Sequence, residues 1–434
     1  MRYTTLPLLG AILLAAACTD QTPVGPSIDA ARSSTAMANG SGPWAKVVEG
    51  ETGPGSLYAL YIPAEWNGDA IYYAHGIRPP GDAITLIDQN NFVAARDALG
   101  AKGYAFAYSS YSENGLAIKD GALRTHQLRG LLNAELHGQP RRNFLAGHSL
   151  GALVALELGQ KFPTQYDGVL ALCGMVGGTP LEVQYVEDVR ALFDAYYPGA
   201  LPGNAIWVPT PMRIEEIQAA VIQAITPTQK DPLATVKMFA IASTAQTPLA
   251  YVDDWNPAVP AAGIQSSPAF QKMVESLITA LYYQNLGTPD VLGRTHGHSP
   301  YDNRNTTYTM ATAAVPPPLL SQLTPVIQAL IASLKDGVTR YDITPDAQNY
   351  LERNYEPTGR LQIPVVSVHN YLDPLVPYFH EPAFGAVVAS AGSSGMLLQR
   401  GVGGYGHCNF TTADVVNSFQ DLATWATTGK KPTS

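Results

Sequence analysis

The sequence predicts an α/β protein with a mostly parallel sheet, helices on both faces and a large helical insertion. Two segments, 44–175 and 361–430, alternate short strand patterns with helical patterns. That alternation is typical of a parallel sheet whose crossover helices cover both faces. The segment between them, 176–360, lacks strand alternation and carries helical periodicity. We therefore interpret it as a helical cap on the sheet.

The predicted strands are rich in aromatic and β-branched residues and end at turn-forming residues. In the first segment they cover 56–63, 70–75, 104–108, 143–147 and 168–173, with helices at 91–101, 121–137 and 152–162. In the second segment strands are predicted at 363–369 and 396–400, and helices at 379–391 and 412–427. The clearest helical patterns of the cap cover 273–282 and 319–334.

Composition excludes several classes of protein. The 434 residues contain 26 Lys and Arg against 35 Asp and Glu, which gives a formal charge of −9. Apolar residues make up 46% and charged residues only 14%, so charge-rich disorder is excluded for most of the chain. No run of basic residues exceeds a pair. We expect no nucleic-acid partner, because such a groove must neutralise many phosphates.

The N-terminus has the pattern of an export signal over residues 1–17. Arg2 precedes an apolar run, 6–17, that is too short to span a bilayer. The run ends in Ala-Ala-Ala-Cys18, which resembles the lipobox of bacterial lipoproteins. Cys18 would then be the lipidated first residue, and ordinary cleavage after one of the alanines is the alternative. Residues 18–43 form a predicted flexible tether, so we expect a cell-envelope lipoprotein or a secreted protein that meets a membrane only through this lipid.

The motif Gly147-His148-Ser149-Leu150-Gly151 is the central chemical feature. It lies where a predicted buried strand gives way to a predicted helix. A sharp strand-to-helix turn strains the backbone of its central residue and leaves space only for small neighbours, which the glycines provide. Ser149 would project from this turn at the start of a helix whose dipole favours negative charge. We predict that Ser149 is a nucleophile.

A serine hydroxyl needs a base within hydrogen-bond reach, and the base needs an orienting carboxylate. His407 follows the glycine-rich stretch 403–406, in a loop that can return over the sheet, and is the predicted base. His380, inside a predicted helix, is the alternative. Asp373 follows the strand that ends at residue 369 and is the predicted acid. The alternative acid, Glu182, is the first acidic residue after the strand that ends at 173.

Acyl transfer also needs donors for an oxyanion. One is the N–H of Leu150, which follows the nucleophile. The second is expected from the loop after the strand 70–75, where the N–H of Ile77 is favoured and that of Gly76 is the alternative.

These residues resemble the α/β-hydrolase superfamily in four places: the turn 147–151, the His75-Gly76 loop, the segment 373–377 and the Gly406-His407 loop. Within it the chain is loosely similar to secreted bacterial esterases of the feruloyl-esterase or tannase type. The resemblance implies the α/β-hydrolase fold and hydrolysis of a small or polymeric carboxylic ester through an acyl-enzyme, without a cofactor. A serine peptidase, aminopeptidase or amidase of the same fold is the alternative. A binding module without turnover is a third hypothesis.

Cysteines and a histidine pair complete the predictions. In the implied fold Cys173 and Cys408 both lie at the active face, so we expect a disulfide that anchors the histidine loop; two free thiols are the alternative. His296 and His298 lie near Asp302. A zinc site needs three or four supported ligands, so we expect a polar loop there and no metal.

Overall fold

An eight-stranded sheet organises the chain in the computed structural model, which describes residues 42–53, 55–86, 90–248, 268–311, 317–334 and 337–433. The predicted signal peptide, Cys18 and nearly all of the predicted tether lie outside these residues. The strands, in chain order, are β1 (Trp44–Thr52), β2 (Ser56–Pro63), β3 (Asp69–Ala74), β4 (Ala105–Ser109), β5 (Arg142–His148), β6 (Gly168–Leu172), β7 (Val365–Leu372) and β8 (Leu397–Tyr405).

The strands lie side by side in the order β1-β2-β4-β3-β5-β6-β7-β8. Strand β2 is antiparallel to β1 and β4, and every other neighbouring pair is parallel. The carboxyl ends of β3, β5, β6, β7 and β8 therefore meet at one edge of the sheet. All six residues of β3 are buried, because it is an inner strand covered on both faces.

Strand β1 is absent from the sequence prediction. It pairs only with β2, and most of its side chains are partly or fully exposed. An edge strand that mixes Lys46, Glu49 and Glu51 with apolar residues carries little of the hydrophobic signal on which the prediction depends.

Helices pack on both faces of the sheet. The helices of this layer are α1 (Asn90–Gly100), α2 (Ile118–Glu135), α3 (Leu150–Lys161), α10 (His380–Ser390) and α11 (Thr412–Thr428). Helices α2, α3 and α10 share one buried apolar cluster with the sheet, and α1 and α11 share another. The predicted fold class, a mostly parallel sheet with helices on both faces, is confirmed.

In the described part of the chain between β6 and β7 there are six helices: α4 (Thr179–Tyr196), α5 (Ile214–Ile225), α6 (Ala234–Ala245), α7 (Pro268–Arg294), α8 (Pro317–Ser333) and α9 (Pro345–Tyr355). They enclose an apolar core of their own that includes Phe193, Phe239, Leu281 and Tyr301. We call α4–α9 the cap. Across the described ranges, no helix combines the length and apolar character that crossing a membrane requires.

Candidate active site

The turn between β5 and α3 holds Ser149 in a strained conformation, with φ 55° and ψ −124°. That region of φ is sparsely populated by residues with a side chain. A Cβ at Gly147 would lie 2.1 Å from the carbonyl oxygen of Gly151, and a Cβ at Gly151 would lie 2.1 Å from the carbonyl oxygen of Ala74. Both flanking positions therefore require glycine, which is the physical content of the motif.

Neighbouring elements fix Ser149 at the carboxyl edge of the sheet. Its N–H donates to the carbonyl oxygen of Leu172 at 2.9 Å, which continues the pairing of β5 with β6. A Cβ at Gly76 would lie 3.3 Å from Cβ of Ser149, so the loop after β3 packs directly against the serine. Ser149 is 6% exposed.

His407 and Asp373 form a hydrogen-bonded pair at the same edge. Nδ1 of His407 lies 2.7 Å from Oδ2 of Asp373, whose side chain is fully buried. Oδ1 of Asp373 accepts the N–H groups of Leu375 and Val376 at 2.9 and 3.0 Å. A carboxylate only accepts, so the ring carries its proton on Nδ1 and Nε2 keeps a lone pair.

That Nε2 atom is buried and has no hydrogen-bond partner among the residues described. It therefore makes no hydrogen bond to Oγ of Ser149 in this arrangement. Hydrogen bonds between catalytic groups are often long in sites without substrate and tighten in the complex. The lone pair is available for a proton from a reacting hydroxyl.

Cys173 and Cys408 form a disulfide beside the imidazole, with their Cα atoms 5.2 Å apart. The bond joins residues 235 positions apart and links the end of β6 to the loop that carries His407. Within the described ranges, the two sulfurs and His407 are the only cluster with metal-ligand spacing. Because each sulfur is bonded to the other, neither is a thiolate that could hold a metal.

The loop after β3 is held by His75. Its Nδ1 lies 2.7 Å from the carbonyl oxygen of Gly76, so the ring donates. Burial lowers the pKa of His75 to about 4, and the ring stacks on Tyr111 with centroids 3.8 Å apart. In the trans peptide that follows, the N–H of Ile77 points away from the carbonyl held by His75.

Both favoured oxyanion donors adjoin Ser149. Leu150 is the first residue of α3, and its N–H therefore has no acceptor within the helix. Ile77, Leu150 and Ser149 line one cavity. The sequence assigned no role to His75 itself, although it follows β3 directly and the His75-Gly76 loop is part of the resemblance to the superfamily.

The two alternatives for acid and base are bonded to each other. His380 accepts the N–H of Gly177 on Nδ1 at 3.2 Å, so its proton is on Nε2, which lies 3.0 Å from Oε2 of Glu182. Burial lowers the pKa of His380 to about 3 and raises that of Glu182 well above its usual range. Neither group bonds to Ser149 among the residues described.

A cavity of about 70 Å³ opens beside Ser149 between the sheet and the cap. Its apolar wall comes from the loop after β3, from the start of α3, from α4 and α7, and from the turn after β7. These residues include Ile77, Leu150, Val183, Val186, Tyr283 and Leu375. Glu182, Glu187 and Asp290 also line it, and no Lys, Arg or His is found among its described lining residues.

Residues 88–244, which include Ser149, match a family model described as "Putative esterase". Among solved structures, the rice cell wall degrading esterase LipA from Xanthomonas oryzae is 13% identical, with 85% of this chain and 86% of that chain covered and a TM-score of 0.39. Est1E from Butyrivibrio proteoclasticus is 12% identical, with 88% and 100% covered and a TM-score of 0.38. An esterase from Aspergillus oryzae is 13% identical, with 89% and 80% covered and a TM-score of 0.43. No curated protein is similar enough in sequence to count as a match.

Proposed function

We propose that this esterase-like protein of the α/β-hydrolase fold cleaves carboxylic esters through an acyl-enzyme formed on Ser149. The observation that carries the proposal is the 2.7 Å hydrogen bond between His407 and Asp373, which holds a proton on Nδ1, so that the neutral ring has its lone pair on Nε2. It lies at the sheet edge where Ser149 stands on its strained turn. Nucleophile, base and orienting carboxylate are thus present in the chain order that this fold uses.

In the acylation half-reaction, Oγ of Ser149 attacks the ester carbonyl carbon while Nε2 of His407 takes the hydroxyl proton. The negative charge moves to the carbonyl oxygen, which the N–H groups of Leu150 and Ile77 stabilise. Asp373 holds the ring in position and stabilises the imidazolium. The intermediate then collapses, the bond to the alcohol oxygen breaks, and the alcohol leaves with the proton from His407.

Deacylation repeats these steps with water. Nε2 of His407 takes a proton from the water as its oxygen bonds to the acyl carbon. The second intermediate expels Oγ of Ser149, which recovers a proton from His407, and the carboxylic acid leaves. The site returns to its starting protonation, so no cofactor is needed for the balance.

The cavity supports a preference for the acyl group. A volume of about 70 Å³ with an apolar wall suits a chain of a few carbons. Burial raises the pKa of Glu187 to about 8, and two further carboxyl groups line the cavity without a basic residue among the described lining. An acyl group that carries a carboxylate would enter without a counter-charge, and burying an unpaired charge is costly.

We also propose that the protein is exported and anchored by a lipid on Cys18. The support is the N-terminal sequence alone. Metabolic labelling with a clickable fatty acid tests this proposal: the native chain should be labelled, and the Cys18→Ser variant should not. Label on both chains would contradict it.

The enzymatic proposal is tested with p-nitrophenyl esters of acetate, butyrate, octanoate and succinate, beside aminoacyl p-nitroanilides. We expect hydrolysis of the short uncharged esters and much slower hydrolysis of the succinate monoester. Ser149→Ala and His407→Ala should each lower kcat by about 10⁴-fold or more, and the double variant should be little worse, because the residues act as a unit. A fluorophosphonate probe should label Ser149.

Three results would contradict the proposal. Cleavage of the anilides alone would identify a peptidase or amidase. Failure of the probe to label Ser149 would favour a binding module. Full activity in His407→Ala with loss in His380→Ala would reassign the base.

A further inference from the structure

A second buried histidine, His369, stands directly behind the Asp373 carboxylate. It lies in β7, four residues before Asp373, and its side chain is fully buried. Nε2 of His369 is 2.7 Å from the carbonyl oxygen of Val376 and 3.6 Å from Oδ2 of Asp373. That carboxylate oxygen is the one that accepts the hydrogen bond from His407.

The opposite edge of the His369 ring faces Glu381 of α10. Nδ1 lies 3.2 Å from Oε1 of Glu381, whose side chain is 2% exposed. The hydroxyl of Ser367 donates to Oε1 at 2.6 Å, and Nε2 of Gln399 donates to Oε2 at 2.6 Å. The same nitrogen of Gln399 also lies 2.6 Å from the Glu381 carbonyl oxygen, which can only accept, so the amide orientation is fixed.

These contacts constrain the protons on His369. Nε2 must carry one, because a carbonyl oxygen only accepts. Nδ1 faces a carboxyl group that already accepts from Ser367 and Gln399. A ring protonated on both nitrogens can donate from Nδ1 to Oε1 of Glu381. It also supplies a positive charge that faces the buried Asp373 carboxylate. Although burial acts to lower the pKa of His369, the hydrogen bond to Glu381 and the charge of Asp373 raise it above its ordinary value.

Val376 connects His369 to Asp373 through two backbone hydrogen bonds. Its carbonyl oxygen accepts from His369, and its N–H donates to Oδ1 of Asp373. The ring therefore holds the turn 374–376 that cradles Asp373, in addition to facing it with charge. Among the residues described, four other titratable groups surround His369. They are Tyr378, His380, Glu182 of the cap, and His407 on the far side of Asp373.

We propose that His369 is a positioning residue that is protonated on both nitrogens and, with Glu381, orients Asp373 toward His407. The proposal rests on the proposed function, because it assigns Asp373 and His407 to catalysis. It extends the row of side chains behind Ser149 from His407 and Asp373 to His369 and Glu381. The positive charge of the His369 ring opposes proton uptake by His407 in the resting enzyme. The turn 374–376, which this ring holds, keeps the Asp373 carboxylate in position for its hydrogen bond to His407.

The test compares the native chain with His369→Gln and Glu381→Gln, using p-nitrophenyl butyrate across pH 5–9. His369→Gln should lower kcat/KM by about 10- to 100-fold, the scale expected when a catalytic group is slightly misplaced. The acid limb of its kcat/KM profile should move to higher pH, because a positive charge no longer opposes protonation of His407. Glu381→Gln should move the acid limb in the same direction. Without the Glu381 carboxylate opposite Nδ1, His369 becomes neutral and no longer opposes protonation of His407.

A control separates this effect from the loss of a partly buried imidazole elsewhere in the chain. His126 lies on α2, where its ring stacks on Phe162 and makes a hydrogen bond with the hydroxyl of Tyr166; His126→Gln removes this ring. That variant should leave the position of the acid limb unchanged. A purely structural role for His369 would lower the yield or the rate without moving the profile.

NMR of the native protein with ¹⁵N-labelled histidine gives a readout besides activity. One histidine should retain two protonated nitrogens at pH 8, and its signal should be lost in His369→Gln or shifted in Glu381→Gln, whichever variant folds. A neutral His369, or an unmoved profile in both variants, would overturn the proposal while Ser149→Ala still abolished hydrolysis. Absence of hydrolysis in the native chain would instead contradict the proposed function, and the NMR result would still decide the protonation of His369.

Discussion

Hydrogen bonds place protons on particular nitrogens of four histidines around the candidate site. Backbone carbonyls hold the protonated nitrogens of His75 and His369, a carboxylate holds that of His407, and a backbone N–H assigns the tautomer of His380. His148 is different, because its Nδ1 is buried without a partner within the described ranges. Burial, followed by the positive charge that His407 can carry, lowers the pKa of His148 to about 3.

His148 should therefore make stability depend on pH. Below pH 6.5 the unfolded chain takes up a proton at His148 that the folded chain refuses, so the free energy of unfolding falls as the pH drops. Between pH 7 and pH 5 the difference in unfolding free energy between the native chain and His148→Asn should shift by about 2 kcal/mol in favour of the variant. Urea titrations at each pH measure it.

The same pair of proteins provides the control for His148. Between pH 7 and pH 8 the difference should stay constant, because the imidazole is neutral in both the folded and the unfolded chain. A difference that also stayed constant down to pH 5 would show that His148 does not carry the depressed pKa.

At the level of elements, loops at one sheet edge carry the candidate catalytic residues, and the strands hold these loops. The loop with His407 is fixed to the end of β6 by the Cys173–Cys408 bond, and the carbonyl oxygen of Leu172, the last residue of β6, accepts the N–H of Ser149. The bond spans 235 residues of chain, and the loop with His407 and the turn with Ser149 are thus both tied to one strand end.

Removing the disulfide should affect both stability and rate. The Cys173→Ala, Cys408→Ala double variant should lose about 2–5 kcal/mol of unfolding free energy. Its kcat should fall by roughly tenfold or more with little change in KM, because the imidazole is less precisely held. Urea unfolding and steady-state kinetics measure the two effects.

Reductant supplies the matched control for the disulfide. It should reproduce the losses in the native chain and leave the double variant unchanged. Equal kcat in all four conditions would show that the loop holds His407 without the bond.

Sequence patterns located the elements well where burial is complete. The predicted strands over 70–75 and 168–173 correspond to β3 and β6 to within one residue at each end, because inner strands are continuous apolar runs. The positions of Ser149, Asp373 and His407 followed from strand ends, and their hydrogen bonds remained to be found. The packing of the cap depends on tertiary neighbours that are distant in sequence. The exposed edge strand β1 and the His369–Glu381 contact leave no periodic hydrophobic pattern, so local reading of the sequence does not reveal them.

At the level of the whole molecule, the cap is docked on the sheet by a charged contact. Asp290 of α7 accepts the N–H of Leu116 at 2.7 Å, and both residues line the cavity. Arg294, one turn later, donates to Asp290 at 3.0 Å, to Glu113 at 2.9 Å and to the carbonyl oxygen of Asn114 at 3.0 Å. The wall of the cavity is therefore held in place by a partly buried arginine.

Arg294→Ala should loosen this contact. The loss of several hydrogen bonds to a charged group should cost about 2–3 kcal/mol of unfolding free energy. KM for p-nitrophenyl butyrate should rise as α7 becomes less well held. Urea unfolding, steady-state kinetics and limited proteolysis of the cap check these effects.

Lys46→Ala is the matched control for Arg294. It removes the Lys46–Glu135 pair, whose side chains are 42% and 31% exposed, and should cost less than about 1 kcal/mol. Equal effects of the two substitutions would show that the contact around Arg294 is no stronger than an ordinary surface pair.

The Cys173–Cys408 bond limits the cellular compartments in which the folded, disulfide-bonded protein can form. Disulfides form and persist in oxidising compartments and are kept reduced in the cytosol. A newly made chain in the cytosol would carry both thiols and a histidine loop without its covalent support. With the export that we propose, the bond would close only after the chain leaves the cytosol, and recombinant material made in a reducing host would need an oxidative refolding step to acquire it.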